Sequence, residues 1–136
     1  MSVDTTLAVR VLLVDDEPHI THLVRRRLQG LGIGVRVTRD GQEGFAAAVS
    51  EPPELIVSDL QMPKIDGLTL AEQLRADERT ADVPILMISG RGFLLSNERV
   101  AKTNIIEVFE KPFSIETVLD RILSLLGERS DRADAA

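Results

Sequence analysis

The sequence predicts an α/β domain built on a doubly wound, five-stranded parallel sheet. Three observations predict it. Short β-branched runs recur along the chain and are apolar almost throughout, as strands buried on both faces should be. Between them lie stretches whose apolar residues repeat at helical spacing. The two kinds of segment alternate, and because parallel neighbours need crossover connections, alternation implies a parallel sheet. Right-handed crossovers then place helices on both faces.

The elements follow in order. VRVLLV (9–14) is the first strand, and Ile20, Leu23, Val24, Leu28 and Leu31 supply the i, i+3, i+4 face of the first helix. GLGIG (30–34) follows a helix and precedes a strand, the reverse of a dinucleotide fingerprint, and reads as a helix-to-strand turn. VRVT (35–38) is the second strand. Asp40 then stands as an N-cap with Glu43 at the capping-box position, ahead of a short helical stretch at 45–49. LIVS (55–58) is the third strand, and Asp66 caps the helix around 70–74. VPILMIS (83–89) is the fourth strand. The helix over 94–102 has the thinnest apolar face of the set. IIEVF (105–109) is the fifth strand, and Ser114 caps a last helix carrying Ile115, Val118, Leu119, Ile122 and Leu126. Gly127 is expected to stop that helix. The expected organisation is an N-terminal extension (1–8), one domain (9–126) and a polar, flexible tail (127–136), with no internal repeat and no linker.

Composition bounds the function. A chain of 136 residues is one ordinary domain that can bury a core without staples. It has no cysteine, which removes disulfides and thiolate metal sites. No apolar run approaches the ~20 residues of a membrane span, so no membrane insertion is expected. The first residues contain an early acid and no apolar core, unlike a secretory signal, and the expected location is the cytoplasm. A net charge of -6 disfavours direct nucleic-acid binding, and with no Trp or Tyr and four Phe there is no base-stacking platform. His19 and His22 could share a helix face, but without a third ligand they read as surface histidines.

In doubly wound sheets, chemistry collects at the carboxyl ends of the strands, near the point where strand order reverses. There the sequence places Asp15-Asp16-Glu17 after strand one, Asp59 after strand three, Ser89 after strand four and Glu110-Lys111-Pro112 after strand five. Each has an ordinary use alone: Asp59 as a turn former, Lys111 as a surface lysine. Together they ask for chemistry. Three clustered carboxylates at ~4 Å repel by about 4 kcal/mol per pair at an effective dielectric near 20, so one binds a proton or a cation sits among them. Mg²⁺ suits hard oxygen ligands and phosphate. Phosphoryl transfer needs positioning and charge neutralisation, which Lys111 and a hydrogen bond from Ser89 can supply, and a carboxylate can itself be the nucleophile.

At these residues the sequence resembles the receiver domain of bacterial two-component response regulators, over nearly the whole chain. The resemblance is carried by VLLVDDEP, IVSDLQMPKIDG, PILMISG and VFEKPF in that order. The intervals from Asp16 to Asp59 (43), Asp59 to Ser89 (30) and Ser89 to Lys111 (22) are of the size the family shows. The resemblance implies a flavodoxin-like (βα)5 fold with strand order 2-1-3-4-5. It implies that Asp59 accepts a phosphoryl group from a phosphohistidine on a sensor histidine kinase or a histidine phosphotransfer protein. It also implies that Asp16, Asp59 and the backbone carbonyl of Gln61 ligate Mg²⁺, with Asp15 acting through a bound water. Lys111 would bridge to the phosphate ahead of a cis bond to Pro112, and Gly67 would provide the turn after the MPKIDG loop. Ser89 would move toward the phosphate and carry the following loop and helix four with it. Such a protein is a signalling switch, not an enzyme on external substrates.

One position departs from the family pattern. The aromatic residue often found three positions before the lysine is Val108 here, and Phe109 points to the other face of the strand. The output surface of helix four, strand five and helix five is therefore expected to change through the backbone after Ser89. Arg91, two residues beyond Ser89, is expected to overhang the phosphate and alter its lifetime, and Gln61 stands likewise beyond Asp59. The length leaves no room for an output domain, so the expectation is a stand-alone switch acting on a downstream protein by contact. Two alternatives stay open: a phosphorylation-independent interaction module of the same fold, and an aspartyl-phosphate phosphohydrolase. The latter usually carries a second acid where Gln61 stands.

Overall fold

The computed structural model describes residues 8–90, 95–111 and 113–135. Five strands form one parallel sheet: β1 (Val9–Val14), β2 (Gly34–Thr38), β3 (Leu55–Asp59), β4 (Ile85–Ser89) and β5 (Ile105–Glu110). Helices follow each strand: α1 (Pro18–Gly30), α2 (Gly41–Ser50), α3 (Gly67–Ala76), α4 (Asn97–Ala101) and α5 (Ile115–Ala135). The strand order is β2-β1-β3-β4-β5, so the order reverses between β1 and β3. Sheet, order and helix count are those expected from the sequence.

The alternation of side chains along each strand divides the core in two. Val11, Leu13, Val57, Leu86, Ile88 and Phe109 face Val24 and Leu28 of α1 and Val118, Leu119 and Ile122 of α5. Leu12, Val14, Ile56, Ile85 and Met87 face Ala47 and Ala48 of α2 and Leu68, Leu70, Ala71 and Leu74 of α3. Each fully buried Leu or Ile contributes roughly 1.5–3 kcal/mol relative to exposure. The near-continuous apolar strands thus serve both cores. Phe109 and Val108 fall on opposite faces, as expected: Phe109 is buried with α1 and α5, and Val108 packs half-buried on the other side.

The caps are largely those the sequence names. Asp40 accepts a 2.8 Å hydrogen bond from Glu43 N, Asp66 one of 2.8 Å from Thr69 N, and Ser114 Oγ one of 3.4 Å from Thr117 N. The GLGIG turn is closed by Gly32 at φ +80°, with Gly32 N donating to Gln29 O (2.9 Å). α4 is the weakest helix. It has five residues and none is buried; Ser96 caps it, and Arg99 ties it to Glu72 of α3 at 2.6 Å. β4 starts at Ile85 rather than at 83, because Pro84 has no N–H to give.

One expectation is corrected. Gly127 does not end α5, which continues to Ala135. A glycine stops a helix by taking a positive φ, and among the described residues Gly32 is the glycine that does so. Within the MPKIDG loop Lys64 takes the positive φ, 72°. Gly67, at the end of that loop, is needed for close approach. A Cβ there would collide with the Asp59 carbonyl oxygen and lie 2.8 Å from Met87 Sδ. Gly67 N donates to Leu60 O at 2.8 Å, so the glycine clamps the segment that carries Asp59.

Candidate functional site

The strand ends meet at the reversal between β1 and β3. Asp15 follows β1, where its N–H donates to Thr38 O (3.0 Å) and so fixes the turn. Asp59 ends β3 opposite Ile88, and Leu60 N donates to Ile88 O (2.9 Å). Ser89 ends β4 with no exposed surface, and its carbonyl accepts from Lys111 N (2.8 Å). The backbone of β4 thus links Ser89 directly to Lys111.

Asp15, Glu17 and Asp59 present carboxylate oxygens that all lie within 4.8 Å of one another. Lys111 Nζ lies 2.9 Å from Glu17 Oε1 and 3.7 Å from Asp59 Oδ2. Asp15 and Asp59 are 5% and 3% exposed and stand over Leu13, Ile20, Val24, Val57 and Ile88. That apolar floor strips water from them. Burial is the main reason the Asp15 carboxyl is pushed up to about 6, against the hydrogen bond from Glu17 N (2.8 Å to Oδ1) and with help from the Asp59 charge. Burial likewise raises Asp59; Lys111 and the Gln61 N–H pull it down, and Glu17 and Asp16 push it up. Burial alone would lower Lys111, but its bond to Glu17 and the charges of Asp59, Glu17 and Asp15 leave it raised.

Among the described residues, Asp59 Oδ1 is the buried side-chain atom without a hydrogen-bond partner. A buried carboxylate oxygen left bare within an acidic cluster is costly in a finished core and sensible in a site completed from outside. The donor set, three carboxylates with no nitrogen or sulfur, fits a hard divalent cation such as Mg²⁺.

The structure therefore brings together Asp15, Asp59 and Lys111, with Ser89 one bonded backbone step away. Asp16 is placed differently: it is exposed and lines the adjoining cleft with Gln61, Met62, Asp66, Leu95 and Arg99. Glu17, to which the sequence assigned no role, stands in the cluster, while Asp16 lies near enough for its charge to push Asp59 up. Adjacent residues point in different directions at a strand end, so a run of three acids does not say which turn inward. Arg91 and Pro112 lie outside the described residues. His19 and His22 are both exposed on α1.

Fold and site together define a doubly wound α/β domain whose cation-compatible acidic cluster faces a lysine at the reversal of strand order. The model of the response regulator receiver domain matches residues 11–123, and the chain belongs to that family. It is 40% identical over 127 residues to the DNA-binding dual master transcriptional regulator RpaA of Synechocystis, covering 93% of this chain and 52% of that protein. It is 34% identical over 122 residues to the transcriptional regulatory protein TrcR of Mycobacterium tuberculosis, covering 90% and 47%. The chain thus spans about half the length of the curated relatives it matches. Among solved structures it is similar to the chemotaxis response regulator CheY4 of Vibrio cholerae (28% identity, TM-score 0.74, covering 87% of this chain and 98% of that one). It is also similar to TrrA of Thermotoga maritima in complex with Mg(2+)-BeF (26%, 0.73, covering 86% and 98%). No helix among the described residues is long and apolar enough to cross a membrane.

Proposed function

We propose that Asp59 is the phosphoacceptor of a signalling switch, taking a phosphoryl group from a phosphohistidine on a sensor histidine kinase or histidine phosphotransfer protein. The observation that carries this reading is the bare, buried Oδ1 of Asp59 inside the acidic cluster beside Lys111. Asp15, Glu17 and Asp59, with Asp16 and the Gln61 carbonyl beside them, would hold Mg²⁺, which when bound supplies neutralising charge to the carboxylates and to the phosphoryl oxygens. An Asp59 oxygen forms the new O–P bond as the N–P bond of the donor breaks, and the electron pair of that bond leaves with the imidazole. Lys111 moves its charge onto the phosphoryl oxygens, and Ser89 donates its hydroxyl hydrogen to one of them. The apolar floor under Asp59 strips water from the core side of its carboxylate.

The readout follows from the β4–β5 linkage. Ser89 and Lys111 share a backbone hydrogen bond, so a shift of either moves the loop that leads to α4 and the start of the segment that leads to α5. α4, short and unburied, is the element most easily moved. Val108 packs on that side without a ring to swing. The protein then acts through its α4-β5-α5 surface on a downstream protein, as a cytoplasmic switch and not as an enzyme on external substrates. Relatives such as RpaA, described as DNA-binding, support a regulatory output of this kind, reached here without direct nucleic-acid contact by this domain. Borohydride reduction of the phosphorylated protein converts an aspartyl phosphate into homoserine. Peptide mapping is expected to find homoserine at position 59; homoserine elsewhere would overturn the assignment.

A further inference from the structure

Lys111 serves the phosphoryl group in the reading above, yet its nearest carboxylate is not Asp59. Its ammonium makes a hydrogen bond of 2.9 Å to Glu17 Oε1 and stands 3.7 Å from Asp59 Oδ2, beyond hydrogen-bond length. Glu17 is held to do this. Its N–H donates to Asp15 Oδ1 (2.8 Å), and its carbonyl accepts from Thr21 Oγ1 (3.3 Å). It occupies the N-cap position of α1, but its carboxylate makes no capping hydrogen bond. An N-cap side chain ordinarily spends its oxygen on the helix's unpaired N–H groups. Here the oxygen goes to Lys111, across 94 residues of sequence.

We propose that Glu17 is a positioning residue: it holds Lys111 back from Asp59 while the site is empty and releases it when cation and phosphoryl group arrive. The inference rests on Asp59 being the acceptor. Without this hold, the ammonium would close the remaining gap and neutralise Asp59 internally, competing with the cation for the same carboxylate. With it, Asp59 Oδ2 stays 3.7 Å from the ammonium and the site keeps its negative charge. With Glu17 and Asp59 neutralised together by a bound divalent cation, Glu17 would loosen its grip on Lys111 and leave the ammonium to the incoming phosphoryl oxygens. Lys111 engagement becomes conditional on a filled site.

The chain has three lysines, Lys64, Lys102 and Lys111, so ¹³C-lysine labelling gives three side-chain ε-CH₂ signals, and Lys111→Arg assigns the relevant one. Without metal or phosphodonor, Glu17→Gln is expected to move the Lys111 signal and leave Lys64 and Lys102 in place. The side chain of Glu17 is 52% exposed, so the variant keeps the fold. Mg²⁺ titrated against the same signals is expected to bind roughly tenfold more weakly to Glu17→Gln, since one carboxylate near 5 Å is gone and Lys111 is free to compete. An unmoved Lys111 signal, or an unchanged Mg²⁺ affinity, would overturn the proposal. Failure of the wild-type protein to take up phosphoryl at all would instead strike the acceptor reading, while the metal-free Lys111 signal still decides whether Glu17 holds the lysine.

Discussion

Replacing Asp59 with Asn is expected to make the metal-free protein more stable while destroying its response to Mg²⁺. Asp59 is 3% exposed, with oxygens of Asp15 and Glu17 within 4.8 Å and one of its own oxygens unpartnered among the described residues. At that spacing and an effective dielectric near 20, each like-charge pair costs about 3.5 kcal/mol, and Lys111 at 3.7 Å returns about 4.5 kcal/mol. The net repulsion is about 2–3 kcal/mol, and screening of Glu17 and Lys111, both partly exposed, reduces it to about 1–2 kcal/mol. Asn removes the charge at nearly constant shape. It does not strand Lys111, which keeps its 2.9 Å bond to Glu17. A gain of that size raises Tm by roughly 5 °C for a domain of this length. The assay is a thermal melt of wild type and Asp59→Asn, without metal and with saturating Mg²⁺. Wild type is expected to melt lower without metal and to rise on adding Mg²⁺; the variant starts higher and hardly moves. A variant that melts below wild type without metal, or that gains as much from Mg²⁺, would refute the electrostatic reasoning.

Four further outcomes are expected. Asp15 holds its proton up to about 6 in the fold against an ordinary value near 4, so the folded state binds more protons in that interval. Its contribution to metal-free stability is full below about pH 4 and is lost as pH rises through about 6; Mg²⁺ reverses the loss by favouring the carboxylate, which melts at about pH 5 and about pH 8, with and without the ion, will reveal. Gly67→Ala drives a methyl group against the Asp59 carbonyl and Met87, and is expected to cost about 1–3 kcal/mol in denaturant unfolding and to slow phosphoryl uptake by displacing the acceptor. Lys64→Gly removes a side chain from a left-handed backbone position and is expected to be neutral or stabilising by up to about 1 kcal/mol in the same assay. Arg99→Ala cuts the tie between α4 and α3 and is expected to speed amide exchange across α4 (Asn97–Ala101) while leaving exchange in β3 unchanged.

The fold was legible because strands buried on both faces leave an unambiguous trace. Leu12 and Leu13 serve different cores, yet both must be apolar, and VRVLLV records that. Asp40, Asp66 and Ser114 were legible as caps because each side chain bonds a backbone N–H three residues on. The site was legible as a set of strand-end residues but not as a geometry. Nothing in Asp15-Asp16-Glu17 tells which acid turns toward Asp59, since that depends on where β1 ends and α1 begins. The structure buries Asp15, sets the exposed Glu17 against Lys111 and leaves Asp16 in the adjoining cleft. The positive φ of Lys64 was not legible, because it is set by the path of the loop between fixed ends, and Gly67 serves close packing. Gly127 shows the converse, a glycine carried inside a helix that has no other stop there.

The central claim is that Asp59 carries the phosphoryl group. Incubation with acetyl phosphate and Mg²⁺, followed by intact mass measurement, tests it directly for wild type beside Asp59→Asn. Wild type is expected to gain the mass of one phosphoryl group, lost on treatment with hydroxylamine, and Asp59→Asn to gain none. No gain in wild type, or an equal gain in Asp59→Asn, would contradict the account.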